Sequence, residues 1–183
     1  MLTVLGGLLA LAFSLVQPLR YSSTERVLIT QTNVAGVVDP YTAIKSAERI
    51  AQNLSELIYT SSFFNAVMLK AQVDKTYFPQ AELARRKKWI QTIEMRVIAG
   101  TGVLSIIAYH TNRAEATELA LRVAQELVNI TPNYFGSAVR VQSIDDPLPS
   151  RFFAKPDLAQ NVSFGAIAGF LLGAAWVLGR RNP

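Results

Sequence analysis

Cysteine is absent from the 183 residues and histidine occurs once, at His110. Without thiols there is no disulfide framework, and a single imidazole with no thiolate cannot build a transition-metal site. No G-x-x-x-x-G-K-[ST] run is present, so a P-loop for a nucleoside triphosphate is excluded. Any Ser-His-Asp arrangement has only His110 to draw on, and no G-x-S-x-G signature accompanies it. His110 closes the apolar run VLSIIAYH and reads as a structural or solvent-facing residue. Asp145 and Asp146 are adjacent acids in a turn, a pattern that is ordinarily solvated rather than cation-binding. No catalytic residue, cofactor or metal is therefore expected, and the chain reads as a non-enzyme.

Charge is missing from two long stretches, one at each end. Met1 to Gln17 and Val162 to Gly179 carry no charged side chain, and Arg180 and Arg181 follow the second. The mean hydropathy of +0.24 is high for a domain of this length. At 1.5 Å per residue each run reaches about 25–27 Å, close to a hydrocarbon core of about 30 Å. The first run has no basic side chain ahead of it, and Val16-Gln17-Pro18-Leu19 is a poor small-x-small cleavage site. A retained anchor is expected rather than a cleaved signal. The expectation is a two-span protein with helices at 1–17 and 162–179, an α/β body at 18–144, a proline segment at 145–161 and a cytoplasmic tail at 180–183. Arg20, Arg26, Arg151 and Lys155 nearly balance Arg180 and Arg181 in the charge count, and long loops cross largely regardless of charge. Both termini are placed inside and the body outside.

Between the runs the pattern is α/β, a small sheet packed by helices. YSSTERVLITQ (Tyr21 to Gln31) reads as a strand and TNVAGVVDP as a loop. Asp39 reads as an N-cap with Pro40 first in the helix, and Ile44, Ala47, Ala51, Leu54 and Ile58 form its buried stripe. A short helix after Ser62 carries Phe63, Phe64, Val67 and Met68, and another runs from near Pro79 through Leu83 to about Gln91. Gly100-Thr101-Gly102 reads as a hairpin whose glycines supply positive φ, with VLSIIAYH as a central strand covered by helices. Asn112 and Glu115 form a capping box for a helix with the stripe Ala116, Leu119, Ala120, Val123, Leu127 and Val128, which stops before Pro132. SAVRVQSID is the last strand.

Arg85, Arg86, Lys87 and Lys88 supply four of the five net positive charges, so the basic pI describes one patch. Such a run is either a solvated helix face or a contact for anionic lipid or polysaccharide, and Trp89 beside it either stacks on a sugar ring or anchors the helix. Nucleic acid is not an expected partner of a body outside the membrane. Gly165, Gly169 and Gly173 recur every four residues in the second apolar run, as Gly6, Ala10 and Ser14 do in the first. Small residues at that spacing let helix backbones approach closely, within one protomer or between neighbours.

Pro147, Pro149 and Pro156 lie between the last strand and the second run. Proline cannot donate to a ladder and discourages helix before it, so an extended, stiff segment is expected, with Asn161 or Asp157 capping the following helix. A rigid strut of this kind suits identical subunits that align side by side.

The first apolar run leading into YSSTERVLITQ, the segment GTGVLSIIAYHTNRAEATELALRVAQELVN and the terminal PLPSRFFAKPDLAQNVSFGAIAGFLLG together resemble the Wzz-type chain-length determinants, the polysaccharide co-polymerases. Pro147, Pro149, Pro156, Asn161, Gly165, Gly169 and Gly173 match that family's proline/glycine-rich second-span motif. The resemblance implies a homo-oligomer in a bacterial inner membrane that sets the length of an O-antigen, capsule or exopolysaccharide. It implies contact with membrane lipid, a membrane polymerase and the nascent polysaccharide. The chain departs from the family in lacking a long helical extension, a fused kinase domain and a stretch ahead of the first span, the last suggesting an unusual start or a trimmed chain. An alternative is an adaptor for a separately encoded cytoplasmic tyrosine kinase. A third, from a different class, is an anchored hydrolase using His110.

Overall fold

The computed structural model of the chain describes residues 1–31 and 39–181; the loop expected at 32–38 and the tail residues Asn182 and Pro183 lie outside the described residues. Two compact units emerge, Met1–Arg20 with Phe152–Pro183, and Tyr21–Arg151.

The larger unit is a mixed α/β body. Its strands are β1 (Tyr21–Gln31), β2 (Ile93–Val97), β3 (Val103–His110), β4 (Val139–Ser143) and the short β5 (Leu148–Pro149). Antiparallel pairing gives the order β2-β3-β1-β4, with β5 also pairing β1. The helices are α2 (Pro40–Leu57), α3 (Ser61–Lys70), α4 (Glu82–Thr92) and α5 (Arg113–Phe135), α1 being reserved for the apolar helix Leu2–Val16 of the other unit.

Strand alternation decides which side is buried. The register pairs Glu25 with Ile106, Val27 with Leu104 and Ser143, and Ile29 with Val141, which places these side chains on one face. The apolar cluster draws on that face alone, joining Val27, Ile29, Ile93, Leu104, Ile106, Ala108, Val139 and Val141 to residues of all four helices. Among the described residues, VLSIIAYH is thus covered by helices on one side only. On the other side Ile107 and Tyr109 are shielded without joining the cluster, and the Tyr109 hydroxyl donates to Glu94 Oε2 at 2.8 Å.

Local signals explain most element ends. Asp39 accepts from the Thr42 N–H with Pro40 following, as expected. Thr60 caps α3, which begins two residues before the start read from the sequence, and Phe63, Phe64, Val67 and Met68 are all buried. Gly100 has φ +71 as the hairpin requires. Gly102 does not; it is there because a Cβ would collide with the Ile29 carbonyl oxygen, which lies against it as Ile29 N–H bonds the Gly102 carbonyl at 2.8 Å.

Four expectations need correction. Ile44 is 41% exposed, and Ile50 takes its place on the buried face of α2. The helix read from near Pro79 begins only at Glu82, with a turn of 3-10 helix at Lys75–Tyr77 ahead of it. The capping box is half formed: Asn112 Oδ1 accepts from the Ala114 N–H, but Glu115 turns away to accept from the Asp74 N–H at 2.9 Å. Finally, α5 does not stop before Pro132 but runs on to Phe135, where Gly136 closes it with its N–H on the Pro132 carbonyl. Proline there forfeits its own N–H and crowds the carbonyl four residues back, but the buried flank of Leu127 and Thr131, with Thr131 Oγ1 on the Leu127 carbonyl at 2.6 Å, holds the helix together.

Candidate functional site

The smaller unit consists of α1 and α6 (Leu158–Arg181), and one of its helices is long and apolar enough to cross a membrane: Leu158–Gly179, 22 residues holding an 18-residue stretch with a mean hydropathy of 1.9. Its helix begins four residues ahead of the run marked out in the sequence, because Asp157 Oδ1 accepts from the Gln160 N–H and caps it. α1 is a shorter apolar helix of 15 residues, about 22 Å long.

The two helices pack through small residues. A Cβ added to Gly6 would collide with the Gly165 carbonyl oxygen, and one on Gly169 with the Leu2 carbonyl oxygen. On Gly165 it would sit 2.5 Å from the Ala10 Cβ. These positions therefore admit only glycine, whereas Gly173 has ordinary clearance, 3.5 Å from the Leu2 side chain. Ser14 is buried, and its hydroxyl accepts from Asn161 Nδ2 at 2.8 Å. Asn161 is thus a polar tie inside α6, and Asp157 does the capping.

Pro147, Pro149 and Pro156 are not a free strut throughout. Leu148 and Pro149 pair with Thr24 and Ser23, and the Ser150 N–H donates to the Ser22 carbonyl at 2.7 Å. Proline is tolerated in β5 because the two-residue strand needs no donor at that position. Division between the compact units falls after Arg151, inside the segment. Beyond it the Arg20 N–H bonds the Lys155 carbonyl at 2.8 Å, and the Lys155–Pro156 peptide is cis.

In the basic helix most charges have internal partners. Arg85 lies over the Phe64 ring at 5.3 Å, Lys88 over the Tyr77 ring at 3.9 Å, and Arg86 donates to Ser61 Oγ at 2.7 Å beside Glu82. Lys87 is exposed on the same helix. Trp89 corrects one of the two readings given to it: it is 1% exposed, its indole N–H donates to the Ile58 carbonyl at 2.8 Å, and its ring meets Phe64 edge-on at 5.1 Å. It anchors the helix and has no face left for a sugar.

His110 is buried at 3% exposure. Its Nδ1 accepts from the Asn112 N–H at 3.1 Å, its ring lies against Tyr77 at 4.0 Å between centroids, and Nε2 is 3.7 Å from Glu115 Oε2. Burial holds its pKa below the ordinary value despite that carboxylate, so it is neutral at pH 7. This is a structural histidine joining the Lys75–Tyr77 turn to the start of α5.

Sequence reading passed over Glu25. It is only 2% exposed, in the middle of β1, with Oε1 accepting from Ser143 Oγ at 2.7 Å and Oε2 without a hydrogen-bond partner. Burial raises its pKa to about 7, with the charge of Asp146 adding to the effect. The clue was a carboxylate at an inward position of an alternating strand, two residues before Val27. Among the described residues no group of acids and histidines could hold a metal ion.

No family model matches the chain, and no curated protein matches it.

Proposed function

We propose that the chain is a two-span membrane scaffold of the Wzz type that sets the length of a surface polysaccharide without catalysing a reaction. In this reading α1 and α6 both cross the bacterial inner membrane, the α/β body lies on the outer side, and copies assemble beside a membrane polymerase. The observation that carries it is the helix pair: its seam is closed by Gly6, Gly165 and Gly169, while Val4, Leu8, Phe13, Phe164, Phe170 and Leu171 are exposed on its outside. An apolar exterior on helices joined through small residues suits lipid rather than water. The motif residues Pro147, Pro149, Pro156 and Asn161 add the resemblance.

Two measurements test this. Deleting the chain shifts the modal length of the polymer while sugar incorporation continues; loss of all polymer, or an unchanged length distribution, overturns the reading. The mass of the chain in nanodiscs exceeds that of one copy, and a monomer counts against a scaffold of aligned subunits.

A further inference from the structure

The edge strand β4 and helix α5 leave between them a groove of about 700 Å³, within the range of small-molecule sites. Leu121, Ala124 and Val128 of α5 and Val141 of β4 form aliphatic walls, and the exposed Gln125 and Asn129 of α5 stand beside them. Glu25 lines the floor beside Ser143.

A buried polar atom without a partner is costly, so an orphan at the floor of a groove points to what fills it. Glu25 Oε2 is such an atom. The hydrogen-bond order around Glu25 fixes what Oε2 needs. Ser143 Oγ lies 2.7 Å from Glu25 Oε1 and 3.1 Å from the Asp145 carbonyl oxygen. When the carboxyl is protonated on Oε1 it donates to Ser143, which donates onward to Asp145. When it is ionised Ser143 donates to it. With the proton on Oε2 instead, Ser143 donates to Oε1 and Oε2 itself donates, so the complement that serves every state is a group that both donates and accepts, as a hydroxyl does.

The lining matches a neutral ligand. Arg140 and Asp146 at the groove carry opposite charges, and burial keeps the Glu25 carboxyl partly protonated near neutral pH. A lining of mixed sign with a half-neutral carboxyl offers no single charge for an ion to pair with. Rim amides both donate and accept, as hydroxyl groups do, and the aliphatic walls suit C–H faces.

We propose that the groove between α5 and β4 binds a neutral, hydroxyl-rich ligand, one or a few saccharide units, with a ligand hydroxyl hydrogen-bonded to Glu25 Oε2 and the amides of Gln125 and Asn129 holding its neighbours. The identity of the ligand rests on the polymer-handling reading above; its place rests on the groove alone.

The test is photo-cross-linking in the source cell while it makes polymer. A benzophenone amino acid replaces Asn129 at the groove, Lys87 on the basic helix or Asn53 on α2, each in the full chain. Purified adducts are then assayed for carbohydrate and for protein. Carbohydrate at Asn129 exceeds that at Asn53 about tenfold; Glu25→Leu in the same chain lowers it about tenfold, and Glu25→Gln, which keeps hydrogen-bonding capacity, preserves it. Should Glu25→Leu not accumulate, Gln125→Ala on the exposed flank of α5 serves instead and lowers the label about threefold. Carbohydrate at Lys87 or Asn53 but not at Asn129 overturns the groove and leaves the scaffold reading intact. A protein adduct at Asn129, which would make the β4 edge a peptide-docking strand, overturns the groove assignment, as does absence of carbohydrate at all three positions. The scaffold reading itself is decided separately, by the polymer-length phenotype of the deletion.

Discussion

Asn161 Nδ2 donates to the buried Ser14 hydroxyl across 2.8 Å, tying the start of α6 to the end of α1. Such ties between apolar helices contribute about 0.6–2 kcal/mol. Ser14→Ala and Asn161→Ala each weaken the helix pair by that amount, and the double variant loses little more than either single one. Reversible unfolding of the reconstituted chain, read as a double-mutant cycle, checks it; additive losses would show that the bond contributes nothing.

Glycine governs the rest of that seam. Because the chain has no cysteine, Leu2→Cys with Gly173→Cys gives a clean reporter: the Cβ positions are 3.5 Å apart, within disulfide range. Oxidation closes this pair nearly completely. Adding Gly169→Leu, whose Cβ meets the Leu2 carbonyl, separates the helices and abolishes the cross-link.

Glu25 makes the stability of the body depend on pH in a direction opposite to that of a salt-bridged carboxylate. Its folded pKa, about 7, stands above the ordinary value of 4.5, so the folded state holds the proton longer. Its neutral form is accommodated fully below pH 4.5, and stability falls as pH rises through 7, by up to about 3 kcal/mol at pH 9. Glu25→Gln removes this slope. Denaturant midpoints of the two proteins between pH 4 and 9 should converge at the acid end and separate at the alkaline end.

Trp89 is the keystone of the α3–α4 side of the core, in edge contact with Phe64 and inclined to Phe78. Trp89→Ala leaves a cavity and orphans the Ile58 carbonyl, costing about 3–5 kcal/mol. Lys87→Ala on the same helix changes stability by less than about 0.5 kcal/mol. Chemical denaturation distinguishes the two.

The legible parts of the fold were those in which a local signal and burial agree. Tyr21–Gln31 alternates and is rich in β-branched residues, and Asp39-Pro40 is a start signal with its own mechanism; both elements begin where these residues put them. Misreadings arose where tertiary contacts overrode local rules. Pro132 marks a helix end only if nothing packs around it, and Glu115 fits a capping box only until the Asp74 amide competes for its carboxylate. Pro149 looked unable to enter a sheet because pairing with a strand more than 120 residues earlier leaves no local trace. Of the small-residue faces, Gly6, Gly165 and Gly169 were legible by spacing, and so was Ser14 as a member of one; its partner Asn161 was not, since nothing in periodicity says which polar group reaches across. Glu25 was hidden for a related reason. A single acid in a strand looks like a solvent-facing one until the register shows which way it points.

The bond from the Ser150 amide to the Ser22 carbonyl has a practical corollary. Residues at the two boundaries of the 21–151 body leave it side by side, so this part behaves as a cassette whose beginning and end already touch. A short bridge joining residue 151 back to residue 21, with new termini opened at the exposed Gly100-Thr101 tip, would give a circularly permuted body with its strand order unchanged.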